Sequence, residues 1–78
     1  MTISVLFFGA TADAAGTRAR AIESGESTVG ELVDRITNEI PGLSRHKLLF
    51  SVNQEYVAAE TQLEDGDELA IFSPVSGG

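Results

Sequence analysis

One stretch of this 78-residue chain carries a sustained helical pattern, and it constrains everything around it. Val29, Leu32, Val33, Ile36 and Ile40 recur at i, i+3, i+4, i+7 and i+11, so one apolar stripe must find a partner surface. Thr28 followed three residues later by Glu31 fits a capping box, and Glu31 with Arg35 adds an i,i+4 pair. Pro41 biases Ile40 out of the helix and Gly42 completes the stop, which predicts a helix over 28–39. A single amphipathic helix cannot bury its own stripe, so the remaining residues must supply a sheet for it to cover.

The strand signals lie on both sides of the helix. Thr2 to Phe8 is apolar, β-branched and aromatic, with Ile3, Val5 and Phe7 on one face and Ser4, Leu6 and Phe8 on the other. Residues 9–17 are small and loop-like, and Ala10, Ala12, Ala14 and Ala15 suit a helical turn before Gly16. Arg18 to Glu23 alternates basic with small or apolar residues, as a half-exposed strand returning beside the first would. After the helix, Leu48 to Asn53 places Leu48, Phe50 and Val52 on one face, and Asn53-Gln54 turns the chain into a short Tyr56 to Ala58 strand. Glu64-Asp65-Gly66-Asp67 is a tight turn before a last strand, Glu68 to Pro74, that buries Leu69 and Ile71. The order strand, strand, helix, strand, strand, strand predicts an α+β domain, with one main helix on a mixed sheet of four to five strands. No repeat interrupts it.

Charge and composition narrow the function classes. Twelve acidic against five basic residues leave a formal charge of -7, and no Lys or Arg follows Lys47. Nucleic acid and anionic membrane surfaces would repel such a chain, so a partner with a basic face is expected. The absence of cysteine removes disulfides, thiolate metal sites and a cysteine nucleophile. Neither a membrane span nor a secretory signal is recognisable, and a cytoplasmic location is expected.

The residues with chemical potential are few. Pro74-Val75-Ser76-Gly77-Gly78 runs from a strand into a diglycine, a thread thin enough for a narrow channel and roughly 16 to 18 Å long when extended. Its terminal carboxylate, ionised at neutral pH, needs activation before acyl chemistry, most simply as an acyl adenylate made with ATP by another protein. A frayed terminus is the commoner fate of a Gly-ended chain. Phe8, Tyr56 and Phe72 each fall out of phase with their strand's core residues, which suits either a partner-binding anchor or a face covered by a loop. His46 stands between Arg45 and Lys47 with no convergent partner, and no metal site is expected. The acidic turn at 64–68 lacks the spacing of a calcium loop, and the glycines near 9 and 16 are not followed by the Gly-Lys-Ser/Thr of a phosphate-binding loop.

Taken together, Val5-Leu6-Phe7-Phe8-Gly9, Thr28-Val29, Val52-Asn53-Gln54-Glu55-Tyr56-Val57, Leu63 with Asp65-Gly66-Asp67-Glu68-Leu69-Ala70, and the Pro74 to Gly78 ending resemble the small, sulfur-carrier subunit of molybdopterin synthase. The resemblance covers essentially the whole chain and is most specific over residues 63–78, with Ser73 departing from the family's frequent second proline. It implies a ubiquitin-like β-grasp domain over 1–73 and a flexible tail over 74–78. It further implies that an E1-like adenylyltransferase activates the Gly78 carboxylate with ATP and magnesium, neither of which this chain binds itself, and that a sulfur donor protein converts it to a thiocarboxylate. Pro74, Val75, Ser76 and Gly77 would then thread into the large synthase subunit, in a heterotetramer, where two sulfur transfers to precursor Z build the dithiolene. Phe8, Tyr56 and Phe72 would pack on both partners, which would supply the catalytic side chains. A thiazole-synthesis carrier or a ubiquitin-like protein modifier is the alternative within the same fold.

Overall fold

The computed structural model describes residues 1–74. In chain order it contains β1 (Thr2–Phe7), α1 (Ala10–Ala15), β2 (Ala19–Glu23), α2 (Val29–Glu39), a short 3-10 helix (Pro41–Arg45), β3 (Leu49–Val52), β4 (Glu55–Tyr56) and β5 (Glu68–Phe72). The five strands form one sheet in the order β2-β1-β5-β3-β4. β1 and β5 pair in parallel at its centre, with Val5 opposite Leu69 and Phe7 opposite Ile71, while the other neighbours are antiparallel. This is the α+β arrangement that the order of elements predicts, and the β-grasp topology that the resemblance implies.

The alternation in β1 and β5 decides which face the helix covers. Ile3, Val5, Phe7, Leu69 and Ile71 all point to one side and are fully or almost fully buried, as are Val29, Leu32 and Ile36 of α2. Phe50 and Val52 of β3 lie opposite Ile71 and Leu69 and complete the same layer. Leu43 and Leu63, each from a connection rather than a strand, close its rim.

The amides of Val29, Gly30 and Glu31 at the start of α2 all find acceptors, which explains why it starts where it does. Thr28 Oγ1 accepts from the Glu31 amide at 3.3 Å, and the Val29 and Gly30 amides donate to the Thr61 and Ala59 carbonyls at 2.9 Å each. That second pair stitches the helix to the segment before β5. Gly30 permits it, since a Cβ there would stand 3.0 Å from the Ala59 Cβ.

Several boundaries differ from the sequence expectation. The small-residue segment is a six-residue helix, α1, because Thr11 is buried and ties it to the sheet. Pro41 and Gly42 do not open a plain loop: Pro41 sits at the first helical position of a 3-10 turn that buries Leu43. β5 ends at Phe72 rather than Pro74, since a proline has no amide for the ladder. The Asn53-Gln54 turn has φ of 51° and 71°, the left-handed pair that joins twisted strands tightly. Asn53 is suited to that, and its side chain explains the rest: Nδ2 donates to Asp67 Oδ1 and Oδ1 accepts from the Glu68 amide, both at 3.0 Å. The second oxygen of buried Asp67 takes the Glu64 amide at 2.8 Å, so one carboxylate welds two turns.

Leu32, with no exposed surface, projects from the middle of α2, and Leu32→Ala is expected to cost about 2–5 kcal/mol by chemical denaturation, against about 0.5–1.5 kcal/mol for Ile36→Val. Glu26 supplies a pH dependence. Its carboxyl is held below its ordinary 4.5, first by the Ser24 hydroxyl at 3.0 Å and then by Arg35 Nη1 at 3.1 Å. A lowered folded-state value means that the carboxylate stabilises the fold above the unfolded value and loses that contribution as pH falls through the folded one. Thermal melts should therefore show Glu26→Gln less stable than wild type at pH 7, with the gap closing under acid.

Candidate functional site

Strand β5 runs up the middle of the sheet and leaves it at Phe72, so the chain beyond is delivered at the sheet's end rather than from a side. Pleating sends Leu69 and Ile71 to the helix and Ala70 and Phe72 to the opposite face. Leu6 pairs with Ala70, Ser51 pairs with both Ala70 and Tyr56, and Leu49 pairs with Phe72. The outer face beside the exit is therefore built of small and apolar residues from four strands' worth of alternation.

Phe8, Tyr56 and Phe72 come together there, around one open groove that Ser73 and Pro74 also line. The Tyr56 and Phe72 rings meet edge to face, with centroids 5.8 Å apart and planes at 66°. Tyr56 is 79% exposed and Phe8 52%, so no loop of the described residues covers them. Phe72 is half-buried beneath Tyr56. Two exposed rings over a half-buried third, uncovered by any other described residue, form the kind of surface that a partner completes.

The groove is braced from below. Gly9, at φ 58° and ψ −129°, takes a turn that a side chain would resist and starts α1 directly after Phe8. Thr11 Oγ1 accepts from the Phe8 amide at 3.0 Å, and lies 2.7 Å from the Phe8 carbonyl and 2.9 Å from that of Ile71, either of which can take its proton. One buried hydroxyl thus joins the residue that follows β1 to the end of β5. Thr11 and Asp13 are the two polar residues of an otherwise alanine helix, and their spacing alone does not show which of them is buried.

Electrostatically, Arg45, His46 and Lys47 line the groove, and none of the described lining residues is acidic. Among the described residues no cluster of three or more His, Cys, Asp or Glu could hold a metal ion. His46 therefore remains with its two basic neighbours. Val75, Ser76, Gly77 and Gly78 lie outside the described residues, and of the tail only Pro74, exposed at the end of the groove, is placed. The site is an exposed, largely apolar surface beside a chain exit.

Residues 5–78 match the ThiS family. The chain is 35% identical to the human molybdopterin synthase sulfur carrier subunit, over 97% of this chain and 93% of that one. Its structure superposes on SAMP1 from Haloferax volcanii with a TM-score of 0.85 and 31% identity, covering all of both chains. It is also similar, at a TM-score of 0.73, 27% identity and full coverage of both chains, to a chain in the complex of subunits 1 and 2 of the molybdopterin-converting factor from Helicobacter pylori, a protein that assembles with a partner subunit. A central parallel β1/β5 pair, an aromatic groove at its end, and full-length similarity to sulfur carriers lead to one conclusion: this chain belongs to the ThiS family, among the relatives of the molybdopterin synthase sulfur carrier subunits.

Proposed function

We propose that this protein is the sulfur carrier of molybdopterin synthase, with the Gly78 carboxylate as its working group. The observation that supports the reading is the position of the exposed aromatic groove at the mouth from which β5 releases the chain. A partner that seats on Phe8, Tyr56 and Phe72 receives the following residues, Pro74 to Gly77, in a defined direction. The globule holds the partner and the glycines enter its site.

In this reading an E1-like adenylyltransferase joins the carboxylate to the α-phosphate of ATP, releasing pyrophosphate, with magnesium on the enzyme. Sulfide released by a donor protein then attacks the acyl carbon and displaces AMP as the acyl–phosphate C–O bond breaks, leaving a thiocarboxylate on Gly78. The large synthase subunit takes that sulfur for precursor Z, and water returns the carboxylate for another round. Two rounds supply both dithiolene sulfurs, and the catalytic side chains belong to the partners. In this reading the cycle runs in the cytoplasm, where ATP is at hand.

The similarity to SAMP1, a small archaeal modifier protein by the name of its structure, favours a second reading in which the activated Gly78 acylates a lysine amine instead. Both readings share the adenylate and part at the acceptor.

Incubation with ATP, magnesium, the adenylyltransferase and sulfide should change the intact mass by the exchange of one oxygen for sulfur. Deleting Gly78 should abolish that change while preserving the fold and affinity for the large subunit. An unchanged mass with an authentic activating enzyme would overturn the carrier reading, whereas recovery of Gly78 in isopeptide linkage to lysine would favour the second. Because Tyr56 is so exposed, Tyr56→Ala should leave the melting temperature nearly unaltered while weakening association with the large subunit by about 1–3 kcal/mol, measured by titration calorimetry.

A further inference from the structure

The chain carries a net charge of -7, which taken alone calls for a basic partner, yet the groove is charged the other way. Of the five Lys and Arg residues, Arg20 pairs with Glu39, and Arg35 with Glu26 and Glu39, on the helix side of the molecule, while Arg18 makes no ion pair among the described residues and does not line the groove. Arg45 and Lys47 make no ion pair among the described residues and stand on the rim of the aromatic groove with His46 between them. The densest acidic run, Glu64 to Glu68, lies at the start of β5, whereas the groove lies at its end. Four residue steps at ~3.3 Å put about 13 Å between those ends, beyond a Debye length of about 8–10 Å at physiological salt. The acidic turn therefore does little to cancel the field at the groove in water.

From this segregation we infer that the groove selects a protein partner whose apolar docking patch is bordered by carboxylates facing Arg45 and Lys47, so that these two side chains steer and orient the encounter. The inference rests on the carrier reading, because it takes the large synthase subunit as the partner seated on the aromatics. Its physical basis is complementarity. The apolar rings of Phe8, Tyr56 and Phe72 give contact area without orientation, since dispersion and dehydration are non-directional. Two cations on one side of that area break the symmetry and set which way round the partner lands, which in turn aims the chain leaving Pro74. The rest of the anionic surface repels the same acidic partner and so suppresses misplaced encounters. Arg45 ends the 3-10 turn and Lys47 follows it, both exposed, so neither position is tied to the core.

The test is stopped-flow association of the full chain with the large subunit at about 50 mM and about 200 mM NaCl. The double variant Arg45→Glu/Lys47→Glu should associate about tenfold more slowly at low salt, and the slowing of wild type by salt should flatten or reverse in it. Arg45→Gln/Lys47→Gln should fall between. Glu60→Lys/Glu64→Lys, away from the groove, should not slow association, and thermal melts check that all variants fold. If wild type binds and the charge-reversed variant associates within twofold of it with the same salt dependence, the inference fails while the carrier reading stands. If wild type does not bind the large subunit at all, both fall. Binding of labelled duplex DNA by wild type at about 50 mM NaCl, lost in the charge-reversed variant, would assign the basic rim to phosphates and overturn the inference as well.

Discussion

The parallel pairing of β1 with β5 is the contact on which the rest of this molecule depends. It joins residues near the two ends of the described chain, Ser4 to Phe7 against Glu68 to Ile71, and it sits at the centre of the sheet with every other strand outside it. α2 rests its stripe on the Ile3, Val5, Phe7, Leu69 and Ile71 surface that this pairing creates. Because the partners are so distant in sequence, the loop-closure cost must be met before the core can form, and no local segment is stable without the others. The fold is therefore held as a unit, which suits a small domain that must present one surface rigidly.

That same pairing creates the site. A strand flanked by neighbours on both sides has a fixed direction and a fixed pleat, so the residue at which it ends and the face its last side chain takes are both determined. Thr11 holds that end from beneath through the Phe8 and Ile71 carbonyls, and the Tyr56 ring closes on Phe72 from above. The groove is apolar in its floor and basic on one rim, in a molecule that is otherwise strongly acidic. A surface built this way separates two tasks: apolar area supplies adhesion, and the asymmetric charge supplies orientation.

Much of this was legible before any coordinates. The period of 3.6 in residues 29–40, the capping pair Thr28 and Glu31, and the alternation in residues 2–8 each report a local rule obeyed by the backbone. The structure obeys them at almost the same positions. Phe8, Tyr56 and Phe72 could be singled out because a large aromatic on the wrong phase of a strand violates the expected burial pattern. What did not register were residues whose role depends on a distant partner. Asp67 reads as one more acid in an acidic turn until Asn53 is found at 3.0 Å, and Gly30 reads as a weak helix position until Ala59 is found against it. Arg45 and Lys47 likewise read only as the basic neighbours of His46 until the groove places them beside the aromatics.

Local periodicity, caps and turn chemistry in the amino-acid order determined which segments are helix and strand and which faces are apolar, because those properties depend on neighbours a few residues away. Strand order, the placement of three aromatics and two cations around one groove, and the shared carboxylate of Asp67 were decided only by tertiary structure. The reason is geometric: they arise where segments separated by dozens of residues meet, and a meeting of that kind leaves no periodic trace along the chain.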